Sequence, residues 1–274
     1  MCLIVQTRDT LFGEGICVKI AISGKGGVGK TTFSASLITA FIKRGFNVYA
    51  VDADPDVSLG STLGLPAEEL AALRPVIEMK EIVEKRSGGS GAFFSLNPKV
   101  DDIVDDFTVK QGNIKFMRMG AVKQGGTACY CKENSFLYAV LNSLLLDKED
   151  VVIMDMSAGI EHLTRGTSRG VDMIIIVTEP TRVSVQTAKI VQKLATELGI
   201  CRVKILANKV RTDKEKDFVV SQFTNEELLG IVSFDEAVLE NAMEEESGLL
   251  AGSGVMPGIE EILEKILREV TCKP

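Results

Sequence analysis

Apolar residues recur along the chain in two patterns: short continuous runs, and longer stretches with helical spacing. The continuous runs are four or five residues long, as expected of strands buried on both faces of a parallel sheet. They cover residues 18–22, 48–51, 151–154, 173–177, 203–207 and 228–232. Between them, apolar residues three or four apart predict helices, most clearly over residues 32–44 and 185–198. This alternation predicts an α/β fold, a mostly parallel sheet of about seven to eight strands with helices on both faces.

Three segments stand apart from this alternation. Residues 1–17 are interpreted either as a short N-terminal arm or as the result of an upstream translation start, and we assign them no role. Residues 18–274 are predicted to be a single domain. Residues 80–113 are irregular, Ser/Gly-rich and acidic, which predicts an exposed loop and a short solvated helix. Residues 257–270 have one apolar face and a largely acidic polar face, the wrong sign for anionic lipid. We therefore expect this last helix to pack on the core.

Composition and charge narrow the class of protein. The 274 residues are 45% hydrophobic and carry a net charge of −7, so nothing indicates a general attraction to nucleic acid or to an anionic membrane. No apolar run approaches a membrane span, and the N-terminus lacks the features of a secretory signal. We expect a cytoplasmic protein. Its six cysteines are then reduced, and a cluster among them favours metal binding over a disulfide.

Residues 24–32, GKGGVGKTT, follow directly on the first predicted strand and match the phosphate-binding pattern G-x-x-x-x-G-K-[ST]. In such a loop, successive backbone N–H groups surround the phosphates of a nucleotide, Lys30 reaches the same phosphates, and the Thr31 hydroxyl binds Mg²⁺. The N-terminus of the following helix also favours the anion. The nucleotide-binding residues predicted here are Gly24, Lys25, Gly26, Gly27, Val28, Gly29, Lys30, Thr31 and Thr32.

Lys25 distinguishes this loop from the general class. At the start of the loop its side chain cannot easily fold back onto its own subunit's phosphates, but it can reach those of a second subunit. A cation supplied in this way neutralises charge on the transferred phosphoryl group. We therefore count Lys25 and Lys30 among the catalytic residues, and we predict a homodimer that ATP closes and hydrolysis releases.

The motif GKGGVGKTT resembles the deviant Walker A loop of the SIMIBI-class, or MinD-type, P-loop ATPases, and the resemblance extends along nearly the whole chain from residue 18. It implies that Asp54, after the second strand, orients the attacking water in ATP hydrolysis. Asp52 is expected to hold the loop or the Mg²⁺ water shell. The resemblance also implies that Asp155, at the end of a later strand, faces Mg²⁺.

The same resemblance suggests where the base of the nucleotide binds. Asn208 ends another predicted strand, and in the family an asparagine at this position hydrogen-bonds the adenine edge. The residues Thr178, Glu179 and Pro180, at the end of the preceding strand, either line the same pocket or form an ordinary strand-end turn.

Cys129 and Cys131 form a Cys-x-Cys pair after a short segment of glycines and small residues, 125–128. Such a loop can bring both thiolates onto one ion, but two thiolates fill only half of a tetrahedral or square-planar site. A two-fold dimer with both loops at its axis supplies four, in the same symmetric assembly that Lys25 requires. We predict that the dimer binds one Ni²⁺ or Zn²⁺ ion.

The context of this pair, RMGAVKQGGTACYCKENSF, resembles the CooC-type nickel-insertion ATPases that mature carbon monoxide dehydrogenase. That resemblance implies a metallochaperone that delivers nickel to carbon monoxide dehydrogenase or to the related acetyl-CoA synthase. Two alternatives remain: an iron–sulfur reductase of the nitrogenase iron protein type, and a partition or positioning ATPase. The single histidine, His162, is assigned no role in the site.

Overall fold

The computed structural model describes residues 17–54, 57–76, 78, 107–119, 150–157, 171–241 and 256–271. Strands within these residues form one sheet: β1 (Val18–Gly24), β2 (Asn47–Ala53), β3 (Val109–Gln111), β4 (Ile114–Arg118), β5 (Asp150–Met156), β6 (Met173–Thr178), β7 (Arg202–Val210) and β8 (Leu228–Ser233). Their order is β3-β4-β2-β5-β1-β6-β7-β8, and every neighbouring pair except β3–β4 is parallel. The predicted fold class is confirmed.

Helices cover both faces of this sheet. They are α1 (Lys30–Lys43), α2 (Leu59–Leu63), α3 (Ala67–Ala72), α4 (Arg182–Glu197), α5 (Asp213–Val220), α6 (Glu236–Asn241) and α7 (Ile259–Thr271). Alternate residues of the strands point to opposite faces, so the buried residues separate into two clusters. Helices α1, α2 and α7 pack in one cluster and α4 in the other. Burial on both faces explains why the central strands are continuous apolar runs.

The prediction for residues 80–113 is wrong for the described part, residues 107–113. Phe107 is buried, and β3 forms an antiparallel hairpin with β4 instead of a solvated helix or loop. Gly112 has a φ of 57° in the turn, a conformation that glycine adopts without strain. The hairpin was missed because polar residues interrupt it. One of them, Lys115, donates to the Tyr49 hydroxyl on β2. Neither the continuous apolar runs nor the helical spacing of apolar residues predicts this contact.

Helix α7 packs on the core, as predicted. Its apolar face is buried against α1 and the sheet, through Ile259, Ile262, Leu263, Ile266 and Leu267. Its acidic face is held by Arg44 at the end of α1, which donates to Glu264 at 2.6 Å and Glu260 at 3.0 Å. None of the helices described is both long and apolar enough to cross a membrane.

The parallel strands end at one edge of the sheet. The end of β1, the aspartates of β2 and β5, and the last residues of β6, β7 and β8 therefore lie along this edge. Ligands of open parallel sheets bind outside the carboxyl ends of the strands. The fold thus brings most of the predicted nucleotide-binding residues to one place.

We predict that Leu263→Ala lowers the free energy of unfolding by about 2–5 kcal/mol, because it leaves a cavity between α7 and α1. Urea denaturation monitored by circular dichroism measures the change. The control is Lys265→Ala on the same helix, which removes an exposed ion pair with Glu261 and should cost less than about 1 kcal/mol. Equal effects of the two variants would show that α7 does not anchor the core.

Candidate functional site

The phosphate loop is shaped by three glycines: Gly24, which ends β1, and Gly27 and Gly29, which lie between β1 and α1. At Gly24, φ is 145° and an added Cβ would lie 2.2 Å from the carbonyl oxygen of Val177, so a side chain cannot fit there. Gly27 and Gly29 have φ values of 81° and 90°, in the left-handed region. Left-handed residues of this kind turn successive backbone N–H groups toward one side, which forms a concave anion site. Helix α1 begins directly afterwards at Lys30.

The two lysines of the loop have opposite environments. Lys30 is only 7% exposed, and its ammonium donates to the carbonyl oxygen of Lys25 at 3.3 Å, so it is folded back over the loop. The Lys25 side chain is exposed, and no carboxylate of the described residues forms an ion pair with it. Lys30 is therefore held over its own loop, whereas the Lys25 side chain is exposed to solvent.

Asp52 organises the segment that follows β2. Its Oδ1 accepts from the Asp54 backbone N–H at 3.2 Å, and its Oδ2 accepts from Ser58 at 3.1 Å and Leu59 at 3.0 Å, at the start of α2. Burial raises the pKa of Asp52 to about 6, and the nearby Asp155 adds to the rise despite these hydrogen bonds. Asp52 therefore holds the chain around Asp54, while Asp54 lines the cleft beside the phosphate loop.

Asp155 lies next to Asp52 because the two residues are register partners on β5 and β2. Its Oδ1 accepts from the Ser34 hydroxyl at 3.0 Å, whereas its Oδ2 is buried and has no hydrogen-bond partner among the described residues. Burial raises the pKa of Asp155 to about 6, although the hydroxyls of Thr31 and Ser34 oppose the rise. A buried carboxylate oxygen without a donor, beside the Thr31 hydroxyl, suits a hard cation such as Mg²⁺.

Asn208 connects the end of β7 to the phosphate loop. Its Nδ2 donates to the carbonyl oxygen of Val28 at 2.8 Å, and the residue is 3% exposed. This contact leaves the amide oxygen of Asn208 as the group able to accept from a base. Glu179 and Pro180 are not among the residues that line the cleft; Glu179 instead forms an ion pair with Lys209, which does line it.

A cleft of about 540 Å³ opens in front of the loop, and its far wall was not predicted from the sequence. This wall consists mainly of residues after β8 and before α7: Ser233, Phe234, Asp235, Val238, Leu239, Met256 and Pro257. Phe234 is supported from behind by the guanidinium of Arg211, 4.1 Å from its ring centroid. A largely apolar wall with an aromatic ring suits a planar base. Phe234 lies just after the predicted strand 228–232, and this strand-end position is the sequence signal that could have revealed the wall.

Cys129 and Cys131 lie outside the described residues, as does His162. In the described part of the chain, no three His, Cys, Asp or Glu side chains are grouped as a metal site. Cys17 and Cys201 are described and are exposed.

Comparison with known proteins confirms the resemblance drawn from the motifs. Residues 19–248 match the family model "CobQ/CobB/MinD/ParA nucleotide binding domain". The chain is 42% identical to the carbon monoxide dehydrogenase accessory protein CooC of Rhodospirillum rubrum, across 81% of this chain and 85% of that protein. It is also 42% identical to an uncharacterized ATP-binding protein of Methanocaldococcus jannaschii, across 82% and 88% of the two chains.

Solved structures show the same fold. The chain superposes on the MinC:MinD cell division protein complex of Aquifex aeolicus with a TM-score of 0.65 and 21% identity, covering 94% of this chain and 97% of that one.

We predict that Asp155→Asn stabilises the nucleotide-free, metal-free protein at about pH 7.5 by roughly 1–3 kcal/mol, because it removes a buried charge. The pKa of Asp155 is raised by folding, so the folded wild type binds a proton more tightly than the unfolded chain. The advantage of the variant should therefore shrink as the pH falls from about 6 toward about 4.

Thermal unfolding of both proteins across this pH range measures the difference. Asp217→Asn, which changes an exposed carboxylate on α5, is the control and should melt within a few degrees of the wild type. A constant difference between wild type and Asp155→Asn at every pH would contradict the raised pKa.

Proposed function

Because the chain belongs to the CobQ/CobB/MinD/ParA nucleotide-binding family, we propose that it is a Mg²⁺-dependent ATPase that delivers nickel during maturation of carbon monoxide dehydrogenase or acetyl-CoA synthase. The observation that carries the delivery role is the 42% identity to the accessory protein of Rhodospirillum rubrum, over most of both chains. The glycine-shaped loop in front of a cleft of nucleotide size supports the ATPase.

Each part of the cleft has a task in this proposal. The N–H groups of the loop and the Lys30 ammonium bind the phosphates, and Thr31 and Asp155 hold Mg²⁺. When bound, Mg²⁺ neutralises charge on the phosphate oxygens. Asp54 orients the attacking water, since it lines the cleft and its backbone is fixed by Asp52.

The base binds at the other end of the cleft. The Oδ1 of Asn208 accepts from the exocyclic amine of adenine, since its Nδ2 is already engaged by Val28. The ring of Phe234 provides a stacking surface, and the Arg211 guanidinium behind it holds the ring in place. Adenine is favoured because an amide oxygen accepts from its amine.

Lys25 acts across a homodimer. Its side chain is exposed at the start of the phosphate loop, one residue before Gly26, which lines the cleft. Two copies that face each other across a two-fold axis exchange these lysines, so that each one completes the other's site. Cys129 and Cys131 of both subunits bind one nickel or zinc ion at the axis, and nickel is the cargo.

The exchange of lysines predicts complementation between two inactive chains. Lys25→Ala and Asp54→Asn should each bind ATP but lose turnover by about 100-fold or more. In a mixed dimer one site keeps both the wild-type Asp54 and the partner's Lys25. Mixing equal amounts should therefore restore roughly a quarter of the wild-type rate of phosphate release, if pairing is random. Mixed dimers that form and stay inactive would rule out action in trans.

The cysteine pair predicts one divalent metal ion per dimer. Cys129→Ser with Cys131→Ser should abolish this binding and keep ATPase activity, and wild-type affinity should fall as pH drops because thiolates must be deprotonated. Metal analysis of the purified dimer measures the stoichiometry. Cys17→Ser with Cys201→Ser, which changes two exposed cysteines, is the matched control and should bind metal normally.

The delivery role is tested in cells that produce the client dehydrogenase. The Cys129/Cys131 double variant should leave the client poor in nickel, whereas the Cys17/Cys201 control should not. Normal nickel content in the client would contradict delivery while leaving the ATPase proposal intact. A brown iron–sulfur chromophore in the purified dimer, lost in the Cys129/Cys131 variant, would favour the reductase alternative.

A further inference from the structure

Lys209, the residue after Asn208 on β7, has an unusual backbone and an unusual contact. Its φ is 60°, and among the described residues it is the one residue other than glycine in the left-handed region. Its ammonium donates to the carbonyl oxygen of Gly27 at 2.6 Å and to Glu179 Oε1 at 2.9 Å. Backbone conformations of this kind are uncommon outside glycine and persist where the surroundings hold them. The side chain of Lys209 thus crosses to the phosphate loop.

This contact orients a peptide group of the loop. The described peptide bonds are trans, and in a planar trans peptide the C=O and the following N–H point in opposite directions. Lys209 binds the Gly27 carbonyl, so the N–H of Val28 points away from Lys209. Asn208 binds the Val28 carbonyl, so the N–H of Gly29 points away from Asn208. Two adjacent residues of β7 therefore set two consecutive peptide planes of the anion site.

Glu179 keeps the ammonium of Lys209 in this position. It follows β6, where its backbone N–H donates to the Ser184 hydroxyl at 3.0 Å, and that hydroxyl also contacts Thr178 Oγ1 at 2.9 Å. The carboxylate therefore extends from a fixed junction between β6 and α4. The side chains of Lys209 and Glu179 are 39% and 28% exposed, so water competes for the pair, and the carbonyl of Gly27 adds the second acceptor.

We infer that Lys209, oriented by Glu179, is a positioning residue for phosphate binding, because it presets the loop peptides that receive the β-phosphate. The inference rests on the nucleotide site of the proposed function and is independent of the metal and the client. Its effect falls on affinity, since its ammonium contacts Gly27 and Glu179, neither of which has a proposed role in the chemical step. The KM for ATP rises while kcat stays nearly constant.

The test compares substitutions of Lys209 by titration calorimetry with Mg²⁺ and ADP. Lys209→Met should raise the Kd of ADP about 10-fold or more, the size expected for a charge-assisted hydrogen bond. Lys209→Gly should bind ADP as weakly as Lys209→Met does, although glycine adopts the left-handed backbone without strain. Lys209→Arg, which keeps a cationic donor, should recover most of the affinity. Glu179→Gln should weaken binding less than Lys209→Met, because the Gly27 contact remains.

Two controls separate positioning from general damage. Lys214→Met, an exposed lysine on α5, should bind ADP as the wild type does, and all variants should keep their melting temperatures within a few degrees. Steady-state kinetics should show a higher KM for ATP with kcat within about twofold in Lys209→Met. Wild-type ADP affinity in Lys209→Met or in Lys209→Gly would overturn the role of the ammonium and leave the proposed ATPase standing. A fall in kcat without a rise in KM would also overturn it.

Discussion

The site depends on the placement of two carboxylates in the interior of the protein. Parallel pairing of β2 with β5 puts Asp52 and Asp155 side by side under the phosphate loop, 1% and 0% exposed. Buried negative charge requires donors or cations nearby. Three backbone N–H groups donate hydrogen bonds to Asp52, and the Ser34 hydroxyl donates to one oxygen of Asp155. The raised pKa values of both carboxyls show that burial disfavours their charged forms despite these donors.

The sequence predicted the features that are local. The apolar runs located six of the eight described strands, and the glycine spacing located the loop, because both depend on residues close in the chain. The hairpin of β3 and β4 was missed because Lys115 obtains its partner from β2. The wall with Phe234 was missed for the same reason, since it faces the loop only after β7 and β8 pair. The roles proposed for the site residues remain predictions.

Asn208 shows which contacts of a residue a sequence motif can predict and which it cannot. Its strand-end position was enough to associate it with the base, but its amide nitrogen binds the carbonyl of Val28, 180 residues earlier in the chain. No pattern along the sequence contains that contact. Asn208 also lines the cleft, so one side chain both supports the loop and borders the space in front of it. Such a residue cannot be classified as structural or functional alone.

The close approach of Gly24 to β6 has a mechanical consequence. The two backbones touch at the carbonyl of Val177, with no side chain between them to absorb movement. Three residues after Thr178 separate β6 from α4, a helix of 16 residues, about 24 Å long, that is capped by Thr181. The start of the loop therefore cannot move closer to β6, and the backbone that stops it is the one that leads into α4. The solvent side of this helix exposes Val183, Ile190 and Leu194.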